Sequence, residues 1–189
     1  DLTLKKGSGT VIIKHSNPCG VSVNKVPFLS FKNAYASDPI SAFGGVIACN
    51  YRINKKIAAE INKNFLEVIL ANGFDVDSLK ILKKKKNLRI IDISQFKLKN
   101  FSSIKSFDGS FLVQSKDNII LDKKKIKCVT KLKPSKKEMS EIQFAFNVCK
   151  YVKSNAIVLC NNFSTIGIGA GQPSRLDSCK IAVQKAKQF

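Results

Sequence analysis

The chain has a single histidine, a single methionine, no tryptophan and only three arginines, Arg52, Arg89 and Arg175, in 189 residues. Each scarcity excludes something. A lone His15, with no Cys-x-x-Cys pair among six cysteines, argues against zinc, because a tetrahedral site needs three or four close ligands. The zinc-deaminase pattern is missing as well: Ser16 and Asn17 follow His15, and Val21 and Ser22 follow Gly20 where a second cysteine would stand. No apolar run reaches the roughly 18 to 20 residues of a membrane helix. Asp1 opens the chain with no methionine and no signal-like segment, which predicts a processed chain or a fragment. Without a secretory signal the cysteines are expected as reduced thiols, and the location as cytoplasmic. Cys49, Cys128, Cys149 and Cys160 lie in or beside apolar segments, where small buried residues belong.

Acidic residues are scarce too, 13 against 33 basic ones, for a formal net charge of +20. Such an excess gains affinity for phosphates by releasing counterions, so a basic nucleic-acid-binding module without catalysis is the alternative reading. Arginine, the preferred reader of base edges, is nearly absent. The lysines fall in runs, at 83–86 and 123–125, which predicts a solvated surface and no specific nucleic acid. An acidic small substrate suits the charge equally well. The hydrophobic fraction of 44% is that of a folded chain able to bury a core.

What is present is an alternation of strand and helix signals. Apolar runs at 11–13, 46–49, 65–71 and 89–93 read as strands, with helical patterns at 28–37, 54–64 and 77–84 between them. Asp77 or Ser78 is the expected cap of the last of these helices. Asn17-Pro18-Cys19-Gly20 reads as a turn that breaks the first strand. Residues 94–127 read as a connecting arm or edge hairpin, with β-like pieces at 111–113 and 119–121. A composition shift at 131–135 marks a boundary, which divides the chain at 130/131. A helix over about 136–153 follows, then strands 156–160 and 164–168 around Asn161-Asn162, and a last helix over 177–187. This pattern predicts a layered α/β fold.

Several residues stand out against that background. Lys14-His15 sits at a predicted strand end: a proton-transfer pair in one reading, a hydrogen-bonded strand terminus in the other. Consecutive strand residues face opposite ways, so the two share a pocket only if the strand ends or bulges there. Ser41-Ala42-Phe43-Gly44-Gly45 and the Gly-rich stretch 167–175 allow backbone N–H groups to approach an anion or flat ring. The spacing in the second is G-x-G-x-G, which departs from a dinucleotide fingerprint. Arg175 opens the last helix, either as a cation at its anion-attracting end or as a solvated residue. Glu67 and Asn155 are polar residues in apolar surroundings that must find a partner or face solvent.

Taken together, KHSNPCGV (14–21), ASDPISAFGGVIA (36–48), VKSNAIVLC (152–160) and TIGIGAGQPSR (165–175) resemble the AICAR transformylase domain of a bifunctional purine-biosynthesis enzyme family. The other half of that enzyme is an IMP cyclohydrolase. The resemblance implies cytidine-deaminase-like α/β subdomains without zinc, the first complete (1–130) and the second truncated (131–189). It also implies formyl transfer from 10-formyltetrahydrofolate to the 5-amino group of AICAR, and a homodimer with its sites at the interface. By matching positions it implies Lys14 and His15 as the catalytic pair, with Asn155 as a further catalytic residue that contacts the AICAR and the transferring group. Gly44 and Glu67 are implied as substrate contacts, and Ile40, Arg175 and Leu176 as contacts to the folate. The family's Arg-Tyr-Gly-Glu phosphate-binding segment and its elements beyond the last helix have no counterpart here, so the 189-residue piece alone is expected to be inactive.

Overall fold

The computed structural model describes residues 7–96, 102–115, 117 and 126–188. Its first two strands form a hairpin, β1 (Ser8–Lys14) and β2 (Asn17–Asn24). The turn is His15-Ser16, both with positive φ, 54° and 63°. Two such residues give a hairpin loop whose twist matches that of its strands. Asn17-Pro18-Cys19-Gly20 is therefore not the turn that the sequence predicts but the beginning of β2. Pro18 is tolerated because the register slips there: Ile12 faces Gly20 while Ile13 faces Pro18, leaving Cys19 as an extra bulged residue.

Helix α1 (Pro27–Ala36) and the single turn α2 (Pro39–Ala42) lead into β3 (Gly45–Cys49). Helix α3 (Lys55–Asn62), β4 (Leu66–Ala71), α4 (Val76–Leu82) and β5 (Arg89–Asp92) follow. The side chain of Asn54 caps α3 by accepting the Ile57 N–H at 3.0 Å. In the same helix Ile57, Ala58 and Ile61 are buried at helical spacing. The cap position of α4 is Asp75, two residues before the expected one, and its carboxylate is paired with Arg52 instead of the helix. Ser78 donates to the Asp75 carbonyl at 2.6 Å.

Beyond these, β6 (Ser103–Phe107) and β7 (Ser110–Gln114) make a separate two-stranded sheet around Asp108-Gly109. The predicted arm thus contains a hairpin, though not one on the edge of the main sheet. Its expected piece at 111–113 lies in β7, and the piece at 119–121 lies outside the described residues. Helix α5 (Lys136–Cys149) starts with a capping box in which Ser135 and Glu138 satisfy each other's backbone N–H. The hairpin β8 (Ile157–Asn161) and β9 (Ser164–Gly169) turns at Asn162-Phe163, and α6 (Arg175–Gln188) closes the described chain.

The main sheet has seven strands in the order β5-β4-β3-β1-β2-β9-β8. It is mixed: β3, β4 and β5 run parallel, and every other neighbouring pair is antiparallel. Register places Gly20, Ile12, Ile47, Ile69 and Ile90 in one row on one face. There they meet α1, α3 and α4 in a core that includes Phe31, Ile57, Ile61 and Leu82. Each fully buried isoleucine stabilises the fold by about 1.5–3 kcal/mol. Val21, on the opposite face of β2, joins Phe144 and Val148 of α5 in a second cluster. Helix α6 lies against β9 at backbone distance. A Cβ on Gly167 or Gly169 would stand 2.1 or 1.9 Å from the carbonyl oxygens of Ala182 and Ser178. Those two glycines admit a helix, and their occurrence in a Gly-rich run has a packing cause.

Candidate functional site

Strand directions decide where the singled-out residues fall. β1 ends at Lys14 opposite the start of β3, and β4 starts beside β3. β2 starts where β9 ends, and β8 starts opposite the end of β9. Lys14, His15, Gly44, Glu67, Asn155 and the 170–175 loop therefore share one end of the sheet. That end carries the amino termini of the parallel strands β3 and β4, the reverse of the carboxyl-end rule for open parallel sheets.

Lys14 is the last strand residue and His15 the first of the turn, so the condition for a shared pocket is met by a strand end. The Lys14 ammonium donates to the Phe43 carbonyl oxygen at 2.5 Å. His15 is exposed beside it. Gly44, at φ 71°, donates its N–H to the Phe65 carbonyl at 2.9 Å. A Cβ there would lie 3.8 Å from the Lys14 nitrogen and 3.5 Å from the Phe65 ring, ordinary contact distances, so the positive φ rather than lack of space is what favours glycine. The Phe43 and Phe65 rings pack 5.0 Å apart. Glu67, two residues after Phe65, is exposed at the start of β4.

A second group forms around Asn155, which precedes β8 instead of lying within it. Its side-chain N–H groups donate to the carbonyls of Gln172 and Pro173, both at 2.9 Å. Its own carbonyl accepts the Ser178 hydroxyl at 2.7 Å. That leaves the Asn155 Oδ1 as the atom available to an incoming N–H. The two groups are joined by Asn17, whose Oδ1 accepts the Lys153 N–H at 2.9 Å. Arg175 and Leu176 begin α6 at the close of the 170–174 loop, and both are exposed. Ile40, Phe43 and Leu176 are large apolar side chains with 66%, 60% and 63% of their surface exposed.

Sequence patterns missed the groups that hold this end in place. Asp38 caps α2 by accepting the Ser41 N–H at 2.9 Å, and it also receives the Lys185 ammonium. Burial opposes ionisation of Asp38, but the Lys185 ion pair and the Ser41 N–H outweigh it and hold the carboxyl below the usual carboxylate range. Cys19 is close by. Burial and then the Asp38 charge push its thiol up, against the opposing pull of Lys185 and Lys14. Of the cysteines expected near the core, Cys49 is buried, Cys149 and Cys160 are half-buried, and Cys128 is exposed because the loop carrying it lies on the surface. A groove of about 1110 Å³ between residues 126–134, α5 and β8 is lined by Cys128, Cys149 and Cys160 but by none of the residues grouped at this sheet end.

Among the described residues no group of three or more His, Cys, Asp or Glu side chains is placed to hold a metal ion. Among them, too, no helix is long and apolar enough to cross a membrane. The arrangement defines an α/β domain that presents a lysine–histidine pair at one end of a mixed sheet. Comparison with known proteins specifies it further: the chain belongs to the AICARFT/IMPCHase bienzyme family, whose model matches residues 3–185. It is 44% identical over 181 residues to the bifunctional purine biosynthesis protein PurH of Thermoanaerobacter sp. (strain X514), covering 96% of this chain and 35% of that protein. It is 45% identical over 185 residues to PurH of Parvibaculum lavamentivorans, covering 97% of this chain and 34% of the relative. The chain thus spans about a third of the length of these relatives.

Proposed function

We propose that this chain supplies the Lys14–His15 part of a formyl-transfer site in purine biosynthesis. The reaction moves a formyl group from 10-formyltetrahydrofolate to the 5-amino group of AICAR, giving FAICAR. The observation that carries the reading is the placement of an exposed imidazole next to a lysine whose ammonium is held by the Phe43 carbonyl, at one sheet end, in a chain of this family.

The AICAR amine is a poor nucleophile because its lone pair is delocalised into the ring and carboxamide. His15 accepts the amine proton as that nitrogen bonds the formyl carbon, which makes attack feasible near neutral pH. Lys14 stabilises the developing oxyanion or delivers the proton that the departing nitrogen takes as its bond to carbon breaks. Asn155 Oδ1 orients the substrate, Glu67 accepts from it, and Gly44 gives the backbone beside the ammonium its positive φ. The folate, when bound, supplies the one-carbon unit. The exposed apolar Ile40 and Leu176 suit its flat ring, and the Arg175 cation suits its carboxylate tail. The same reading takes the protein as a cytoplasmic homodimer with the site at the interface, built from two deaminase-like subdomains divided at 130/131.

The test is His15→Ala in the full-length polypeptide that contains this chain. Formyl transfer is expected to vanish while the circular dichroism spectrum and thermal midpoint stay unchanged. Full activity in that variant removes His15 from the mechanism.

A further inference from the structure

Asp38 and Lys185 form an ion pair between positions 147 residues apart, on α2 and α6. Asp38 is only 4% exposed. A carboxylate that deep persists in its charged form only with a partner, and Lys185 provides it. The consequences run along the chain. The same carboxylate caps α2, accepting the Ser41 N–H at 2.9 Å, and Lys185 lies 3.4 Å from the Ser41 hydroxyl. The Ala42 N–H returns to the Asp38 carbonyl at 3.0 Å. One residue further, the Phe43 carbonyl holds the Lys14 ammonium.

Four residues are too few for a helical turn to hold itself, since nucleation is costly and only propagation is favourable. The turn that aims the Phe43 carbonyl therefore depends on its cap, and the cap depends on Lys185. Helix α6 carries Arg175 and Leu176 in its first turn and Lys185 ten residues on, about 15 Å along its axis. One rigid helix thus sets the spacing between those residues and the loop that holds Lys14.

We propose that Asp38 and Lys185 are positioning residues: their ion pair fixes the 39–44 loop from α6 and so sets the place of the Lys14 ammonium. The catalytic consequence rests on the formyl-transfer reading; the structural coupling does not. An ammonium misplaced by about 1 Å loses about two orders of magnitude in rate, because catalysis depends on near-attack geometry.

The experiment compares Lys185→Met, Lys185→Arg and, as a control on the same helix, Lys180→Met in the full-length polypeptide. Among the described residues, the ion pair that Lys180 makes is a solvent-exposed one with Asp177. Asp38→Asn keeps an acceptor for the Ser41 N–H and loses only the charge, and it gives the same comparison should the methionine variant not fold. Amide hydrogen exchange is read over residues 39–45, with α3 and β4 as internal references. Lys185→Met is expected to exchange at least about tenfold faster over 39–45 with α3 and β4 unchanged, Lys185→Arg to restore protection, and Lys180→Met to match the wild type. In formyl transfer, Lys185→Met is expected to lower kcat at least about tenfold with KM for the amine changed less than about threefold, the split left by a lost transition-state contact. Unchanged exchange over 39–45, or acceleration spread equally across α3 and β4, overturns the proposal. A wild-type protein without formyl transfer overturns the functional reading, while the exchange data still decide the coupling.

Discussion

The side-chain oxygen of Asn17 accepts the backbone N–H of Lys153 at 2.9 Å, tying the strand that follows His15 to the segment that carries Asn155. One hydrogen bond of this kind contributes about 1 kcal/mol net. Asn17→Ala is expected to lower stability by about that amount and to expose the Lys153 amide to exchange. Asn17→Asp, which keeps the acceptor, is expected to preserve protection. Equal protection of Lys153 in the alanine variant contradicts the link.

If Lys14 delivers the proton to the departing nitrogen, as one branch of the proposed mechanism has it, it must release one, which a guanidinium does not do near neutral pH. Lys14→Arg in the full-length polypeptide is expected to lose formyl transfer while retaining nucleotide affinity, measured by calorimetry. Retained turnover assigns Lys14 a purely electrostatic part.

The approach of α6 to β9 makes Gly169 intolerant of any side chain, since a Cβ would stand 1.9 Å from the Ser178 carbonyl oxygen. Gly169→Ala is expected to cost about 3 kcal/mol or more, as overpacking forces the backbones apart. Gly109, at φ 73° in the β6–β7 turn, has nothing within 4 Å of its Cβ position. Gly109→Ala is expected to cost only about 1–2 kcal/mol of left-handed strain. Urea midpoints of the two variants check the order.

Two groups give the stability curve opposite edges. Burial pushes the Cys49 thiol up from 9.0 to about 11. The folded state keeps a proton that the unfolded chain releases, so this contribution is complete below pH 9 and lost as pH rises through 11. The stability gap between wild type and Cys49→Ala is therefore expected to hold constant up to pH 9 and to narrow above it. Asp38 is held below its ordinary 3.8, despite its burial, by Lys185 and Ser41, so its contribution is present above that value and lost as pH falls through the folded one. The gap between wild type and Asp38→Asn is expected to narrow on the acid side. Urea titrations at fixed pH steps read both edges, and parallel curves contradict them.

How legible this was in the sequence depended on how local the cause is. Helix α3 was readable from Ile57, Ala58 and Ile61, because one buried face imposes their spacing. The β8–β9 hairpin was readable from Asn161 and Asn162, although the turn falls one residue later. Strand β2 was not, because Pro18 and Gly20 carry breaker chemistry and only pairing with β1, through a bulge at Cys19, overrides it. Lys14 and His15 were conspicuous by type, yet their shared placement needed the strand to end between them, which is a fact of the backbone. Asp38 was not among the residues that stood out in the sequence. Its partner is 147 residues away, and no local pattern encodes that distance.

Ser22 of β2 pairs with Ser164 of β9. At ribosomal rates of about 5–20 residues per second, the interval between their emergence is on the order of 10 s. Throughout that interval a nascent β2 offers a bare row of N–H and C=O groups to any extended chain nearby. An interior strand of the finished sheet is thus, for a time, its most adhesive margin, and a strand made 142 residues later is what seals it.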